Sequence, residues 1–188
     1  NIDPELQLDV LAQMKGPRLV AGDTMNLWIE TKRAALEACM RQLDILIINE
    51  EEVREFSGEY NLVKAAQVIR KLGPKILLIK RGEYGVLMFT PRGIFAVSGY
   101  PLEVVFDPTG AGDTFAGGFF GYLARTGDHS EANLRKAVVF GSVIASFSIE
   151  AFSLDRLKTL TWPEIEARYR EFHALTHFER EIGEVLSS

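Results

Sequence analysis

The stretch VVFDPTGAGDTFAGGFFGYLA, residues 104–124, sets Gly110, Ala111, Gly112 and Asp113 at the entrance of an amphipathic helix. A glycine-rich helix start is a seat for phosphate, because free backbone N–H groups and the positive end of the helix dipole point outward there. A carboxylate on the same turn repels an anion, so Asp113 needs a chemical reason to be present. A Walker A loop would need G-x-x-x-x-G-K-[ST], a string the chain lacks. A dinucleotide fingerprint would need G-x-G-x-x-G. Gly110 and Gly112 fit it, but Phe115 stands at the third glycine. Phosphoryl transfer accounts for the whole turn. The amides of Gly110, Ala111 and Gly112 hold the moving group, and Asp113 takes the proton from the attacking hydroxyl.

Such a turn has to be positioned by a scaffold, and the rest of the chain spells one out. DILIIN (44–49) and KILLIKRG (75–82) are apolar runs typical of strands buried on both faces, RLVAGD (18–23) reads as a shorter strand, and GVLMFTPRGIFAV (85–97) as a hairpin. Helical patterns separate them. DPELQLDVLAQM carries Asp3 as cap and Pro4 at its first position. NLWIETKRAALEACMRQL has Leu27, Ala34, Ala35, Ala38 and Leu43 on its expected inner side. EEEVREF and NLVKAAQVIRKLG follow, then the helix from about 111 to 125, SEANLRKAVVFGSVIASFSI entered by Ser130, and WPEIEARYREFHALTHF. Strands alternating with helices predict an open, largely parallel sheet with helices on both faces, whose ligands sit beyond the carboxyl ends of the strands. The polar residues Asp23, Asn49, Lys80-Arg81-Gly82 and Asp107 to Asp113 fall on those ends.

The chain has 188 residues, 47% of them apolar and 25% charged, with a net charge of −5, enough for one domain with a substantial core. The acidic balance and the lack of a Lys/Arg-rich block argue against nucleic acid as a partner. Cys39 is the single cysteine, which leaves no disulfide framework or thiolate metal cluster and fits a small hydrophobe on an inner helix face. The apolar stretch VVFGSVIASFSI (138–149) is too short to span a bilayer, and no signal pattern opens the chain, so a cytoplasmic setting without membrane association is expected. Asn1 in place of an initiator Met reads as the mark of a fragment.

DPTGAGDTFAGGF resembles the second signature of the ribokinase/PfkB family of carbohydrate and nucleoside kinases, D-T-x-G-A-G-D-x-F. Asp107, Thr109, Gly110, Ala111, Gly112, Asp113 and Phe115 fall on the pattern, and Pro108 replaces the usual threonine. NEEE (49–52) resembles the family's N-x-x-E motif, with Asn49 and Glu52 implied to organise magnesium and phosphate. IKRGEYG (79–85) resembles the strand-end loop along the nucleotide, which assigns Lys80, Gly82 and Gly85 to nucleotide binding, although Lys80 stands where a hydroxyl residue is common. The resemblance implies an α/β fold, a three-layer αβα sandwich with a mostly parallel sheet. Residues 1–188 would form one ribokinase-like domain, the carboxy-terminal, nucleotide-binding part of a larger kinase whose lid and N-terminal strands are missing. It further implies transfer of the γ-phosphoryl group of ATP to a hydroxyl of a sugar, with a nucleoside as the alternative acceptor. The adenine is expected between the segments 80–85 and 97–101 and the helix of Ala137 and Gly141. A homodimer would form through the missing lid.

Asp107, Asp113 and a polyphosphate crowd negative charge together, so Mg²⁺ is expected near Glu52 and Asp107. Many relatives also place a monovalent cation beside the anion hole. Here Asp107, Thr109 and the region 146–153 would hold K⁺, although SFSIEAFS departs from the ribokinase version. Other residues read as structural. Gly117, Gly118 and Gly121 allow close packing on the sheet, Glu50 and Glu51 form a solvated helix start, and Asp107 also suits a turn. His173 and His177 lack the intervening glutamate of H-E-x-x-H and read as helix-surface histidines. Trp28, Trp162 and the phenylalanines at 115, 119, 120, 140 and 147 read as core. The competing functional class is a nucleotide-binding or regulatory domain without turnover.

Overall fold

The two uninterrupted apolar runs become the central strands of a five-stranded sheet, in a computed structural model that describes residues 2–178. In chain order the elements are α1 (Pro4–Gln13), β1 (Ala21–Gly22), α2 (Asn26–Thr31), α3 (Arg33–Met40), β2 (Ile45–Asn49), α4 (Glu50–Ser57), α5 (Leu62–Arg70), β3 (Ile76–Lys80), a 3₁₀ turn at Gly82–Tyr84, β4 (Val86–Thr90) and β5 (Gly93–Val97). Then come α6 (Ala111–Thr126), α7 (Glu131–Ser148), α8 (Asp155–Thr159) and α9 (Trp162–Thr176). The sheet order is β1-β2-β3-β4-β5. The first three strands run parallel, and β4 returns antiparallel to β3. The mostly parallel α/β sheet expected from the sequence is therefore present. The chain divides into two compact units, Asn1–Ala96 and Val97–Ser188.

In the first unit, side chains alternate along each strand, as the strand period of two dictates. Leu46 and Ile48 of β2 and Leu77 and Ile79 of β3 join one core with Ile29, Leu36 and Met40 of α2–α3, Val53 and Phe56 of α4, and Ala65, Ala66 and Ile69 of α5. The opposite set, Ile45, Ile47, Leu78 and Met88, is equally buried, as befits a sheet covered on both sides. The helix expected over 26–43 is broken at Lys32, whose backbone leaves the helical region (φ −136°, ψ 39°) and whose ammonium is tied to Asp3 and Glu5. The break shifts the phase of the inner face. Leu36, Cys39 and Met40 are buried there, while Leu27 and Ala34 are exposed, contrary to the periodicity. Cys39 is buried as expected, and its thiol donates to the Pro4 carbonyl at 3.0 Å.

In the second unit α6 and α7 form the main pairing. A Cβ on Gly141 would stand 2.8 Å from the Phe115 carbonyl oxygen, and one on Gly118 would stand 3.0 Å from the Gly141 Cα. The packing expected of Gly118 is thus made against α7. Gly117 and Gly121 meet nothing within 4 Å and leave a bare strip on α6 instead of a packed one. Phe115, Phe119 and Phe147 are buried, but Trp162 is 61% exposed and is not core. Its ring belongs to a surface row with Phe140 and Tyr122, with ring centroids 6.3 and 5.3 Å apart. The exposed rings of His173 and His177 stack 5.1 Å apart. Among the described residues no helix is long and apolar enough to cross a membrane.

Candidate active site

Parallel strands deliver their carboxyl ends to one edge, and in the first unit three ends meet there. Asn49 at the end of β2 lies in register with Lys80 at the end of β3, and Asp23 directly follows β1. The Lys80 ammonium reaches across the end of β2 to the Asp23 carboxylate at 2.7 Å. Asp23 also accepts from the Thr24 amide at 2.8 Å, while the Thr24 hydroxyl is buried without a hydrogen-bond partner.

Asn49 and Glu52 form a reciprocal capping box on α4. The Asn49 side chain accepts from the Glu52 amide at 2.8 Å, and the Glu52 carboxylate accepts from the Asn49 amide at 3.1 Å. Glu52 is only 4% exposed. Burial pushes its pKa up, the Asn49 amide opposes that shift, the Asp23 charge adds to it and Lys80 counters it. The N-x-x-E pair thus has a structural role in starting α4, with one acidic group held in a place where positive charge is favoured. Glu50 departs from the solvated start expected of it. It bridges Arg54 at 2.5 Å and Arg81 at 2.9 Å, and these cations hold its carboxyl below the ordinary range. Glu51 is exposed, as expected.

Beyond β3 the backbone folds back on itself. The Arg81 amide donates to the Gly85 carbonyl at 2.8 Å, and the Gly85 amide donates to the Gly82 carbonyl at 3.0 Å. Gly82 (φ 56°) and Gly85 (φ 82°) occupy conformations that side-chain-bearing residues rarely adopt.

In the second unit the glycine turn opens α6. Gly110 is its N-cap with φ 80° and ψ 0°, and no side chain caps the helix. The amide of Ala111 is engaged by the Pro108 carbonyl at 3.2 Å, so it is less available to an anion than the sequence implies. Gly112 and Asp113 stand in the first turn, where helix geometry leaves amides without intrahelical acceptors. The Asp113 residue is exposed. Asp107 makes the turn expected of an Asx residue. It accepts from the Thr109 amide at 2.9 Å, and donation from Thr109 lowers its pKa. The Phe106 and Asp107 amides both point at the Ile149 carbonyl, at 2.8 and 3.4 Å.

A group outside the expected set lies at the far end of α7. Arg168 is 14% exposed in its side chain and bonds Glu150 at 2.6 Å and the Ser146 hydroxyl at 3.2 Å. Arg156 joins Glu150 at 2.9 Å to Glu164 at 2.6 Å. The Glu164–Arg168 spacing of one helical turn is visible in the sequence, whereas the link through Glu150 and Arg156 needs the chain to turn after α7.

The carboxylate oxygens of Glu52 in the first unit and of Asp107 in the second are each of the donor type that suits a hard divalent cation. No group of three or more potential metal-ligating side chains stands together among the described residues.

Residues 3–159 match the family model of the pfkB family carbohydrate kinases. The chain is 35% identical over 128 residues to a cytidine kinase of Thermococcus kodakarensis, covering 66% of this chain and 46% of that protein. It superposes on a fructokinase of Vibrio cholerae O395, solved with fructose, ADP and calcium, with a TM-score of 0.74 and 25% identity, covering 87% of this chain and 55% of the other. A ribokinase of Thermotoga maritima gives a TM-score of 0.69 and 26% identity over 89% of this chain and 53% of the other. The chain therefore spans about half the length of these relatives. A glycine turn at the head of α6, an N-x-x-E capping box at the end of β2, and a family match over most of the chain agree, and the chain belongs to the pfkB family of carbohydrate kinases.

Proposed function

We infer that the protein to which this chain belongs transfers the γ-phosphoryl group of MgATP to a hydroxyl of a small sugar. The observation that carries this reading is Asp113 in the first turn of α6, three residues after the left-handed Gly110. Amides at Gly110 and Gly112 are suited to bind the transferring group, and the helix dipole favours the charge it carries. Asp113 receives the proton of the acceptor hydroxyl as its oxygen becomes the nucleophile. Lys80, Gly82 and Gly85 form the loop assigned to the nucleotide, and Asn49 and Glu52 the edge assigned to magnesium. Mg²⁺, when bound, would screen the phosphate charge that Asp107 and Asp113 otherwise oppose.

A nucleoside acceptor is the second reading. It is favoured by the 35% identity to a cytidine kinase and by DTMNLWI (23–29), which resembles a nucleoside-kinase segment. A panel of sugars and nucleosides tested with the full-length protein, read by ADP release, separates the two. Turnover with sugars supports the first reading, and turnover restricted to nucleosides replaces it with the second. MgATP binding without turnover on any acceptor would point to a nucleotide-binding domain.

A further inference from the structure

We propose that the Glu150–Arg168 pair is a positioning device for the glycine turn, acting through the carbonyl of Ile149. The inference deepens the phosphoryl-transfer reading of the turn and rests on it. The turn is held from behind by the packing of α6 on α7, but the stretch leading into it has few side-chain anchors, because Val104, Val105 and Phe106 are exposed. Its backbone is held at Ile149, whose carbonyl oxygen accepts from both Phe106 and Asp107. One residue later, Asp107 in turn holds the Thr109 amide, and Gly110 begins the cap of α6. The entry of the chain into the turn therefore depends on where the Ile149 carbonyl sits.

Ile149 is the C-cap of α7, and the next residue, Glu150, is gripped from two sides. Arg168 of α9 bonds one carboxylate oxygen at 2.6 Å, and Arg156 of α8 bonds the other at 2.9 Å. The Arg168 guanidinium lies 3.6 Å from the centroid of the Phe147 ring and 4.5 Å from that of Tyr100, and it also bonds the Ser146 hydroxyl. The end of α7 is thus fixed on both sides of Ile149, by rings and a hydroxyl before it and by a doubly bonded carboxylate after it. A guanidinium that gives one nitrogen to a carboxylate and another to a hydroxyl while lying against two rings defines direction as well as distance, which a lysine cannot reproduce. The tight turn after α7 includes Ser153 at φ 54°, a conformation kept in a non-glycine residue only where its surroundings enforce it.

The test uses amide hydrogen exchange and MgATP titration on this chain, with Glu150→Gln, the milder Arg168→Lys, and Arg170→Ala as control. Arg170 makes a more exposed pair, with Glu166, on the same helix. The expected result is that Glu150→Gln speeds exchange at the Phe106 and Asp107 amides at least tenfold and weakens MgATP binding at least fivefold. Arg168→Lys should show the same pattern in smaller measure, and Arg170→Ala neither effect. Unchanged exchange at both amides in a folded Glu150→Gln protein overturns the proposal, as does a matching loss in Arg170→Ala. Should Glu150→Gln fail to fold, Arg168→Lys decides by the same readout. If the wild-type chain binds no MgATP, the nucleotide reading fails, and the exchange arm still decides the positioning role.

Discussion

At the scale of single residues the proposed mechanism rests on Asp113, whose role separates cleanly from that of Gly110. Asp113→Asn keeps the size of the side chain and removes its charge. Turnover of the full-length protein should fall by roughly 10²-fold or more, the usual loss of a positioned base, while MgATP binding holds or tightens. Steady-state kcat with a separate binding titration checks this, and activity within a few-fold of wild type would make Asp113 a helix-start residue only. Gly110→Ala should act in the opposite sense. A Cβ there meets open space, but φ 80° imposes a backbone cost of about 1–2 kcal/mol. The turn should relax toward an ordinary φ, so nucleotide binding weakens and the melting temperature drops together. The place of the glycines and the aspartate at the head of α6 was legible in the sequence because a helix entrance is marked by residue type and spacing alone. That the Ala111 amide is engaged by Pro108 was not, since it depends on how the turn closes.

The elements show why some spans were readable and others were not. β2, β3 and the β4–β5 hairpin announce themselves as apolar runs bounded by turn residues, and α7 and α9 by periodicity and caps. The break between α2 and α3 comes from Lys32 reaching Asp3 and Glu5, almost thirty positions away, and no local pattern carries such information. Trp162 was misread for a related reason. It sits at the start of α9, where the helix leaves one ring face to solvent, with Arg125 5.4 Å from the ring centroid.

The capping box makes a testable element of α4. Asn49→Ala should destabilise the fold by about 1 kcal/mol, measured by chemical denaturation, because the Glu52 amide loses its acceptor. The buried Glu52 has a raised pKa, so its ionised form is disfavoured by folding. Its contribution is least unfavourable below the ordinary carboxylate value of 4.5 and worsens as pH rises through the higher folded pKa. Glu52→Gln keeps an acceptor without the charge. Its stability relative to wild type should therefore grow from pH 4 toward neutrality. A pH-independent difference would show that burial of the charge is of no consequence there.

The whole molecule joins two units, each with its own part of the proposed site residues. The first carries the strand-end cluster of Asp23, Asn49, Glu52 and Lys80, the second the glycine turn. The fold class was legible because a parallel sheet needs buried strands joined by helices, and the sequence alternates in that order. The ionic group at the end of α7 was not, because its four charges come from three stretches that only the turn after Ile149 brings together.

The backbones of α6 and α7 touch where Gly118 meets Gly141. Side chains between two helices can rotate and absorb a shift, but two backbones in contact have nothing to rotate. The head of α6 and the tail of α7 consequently form one stiff lever, clamped near its middle. A nucleotide pressing on the glycine turn would be felt at Ile149 through this contact, with only the flanking Phe115 and Ile144 side chains to yield.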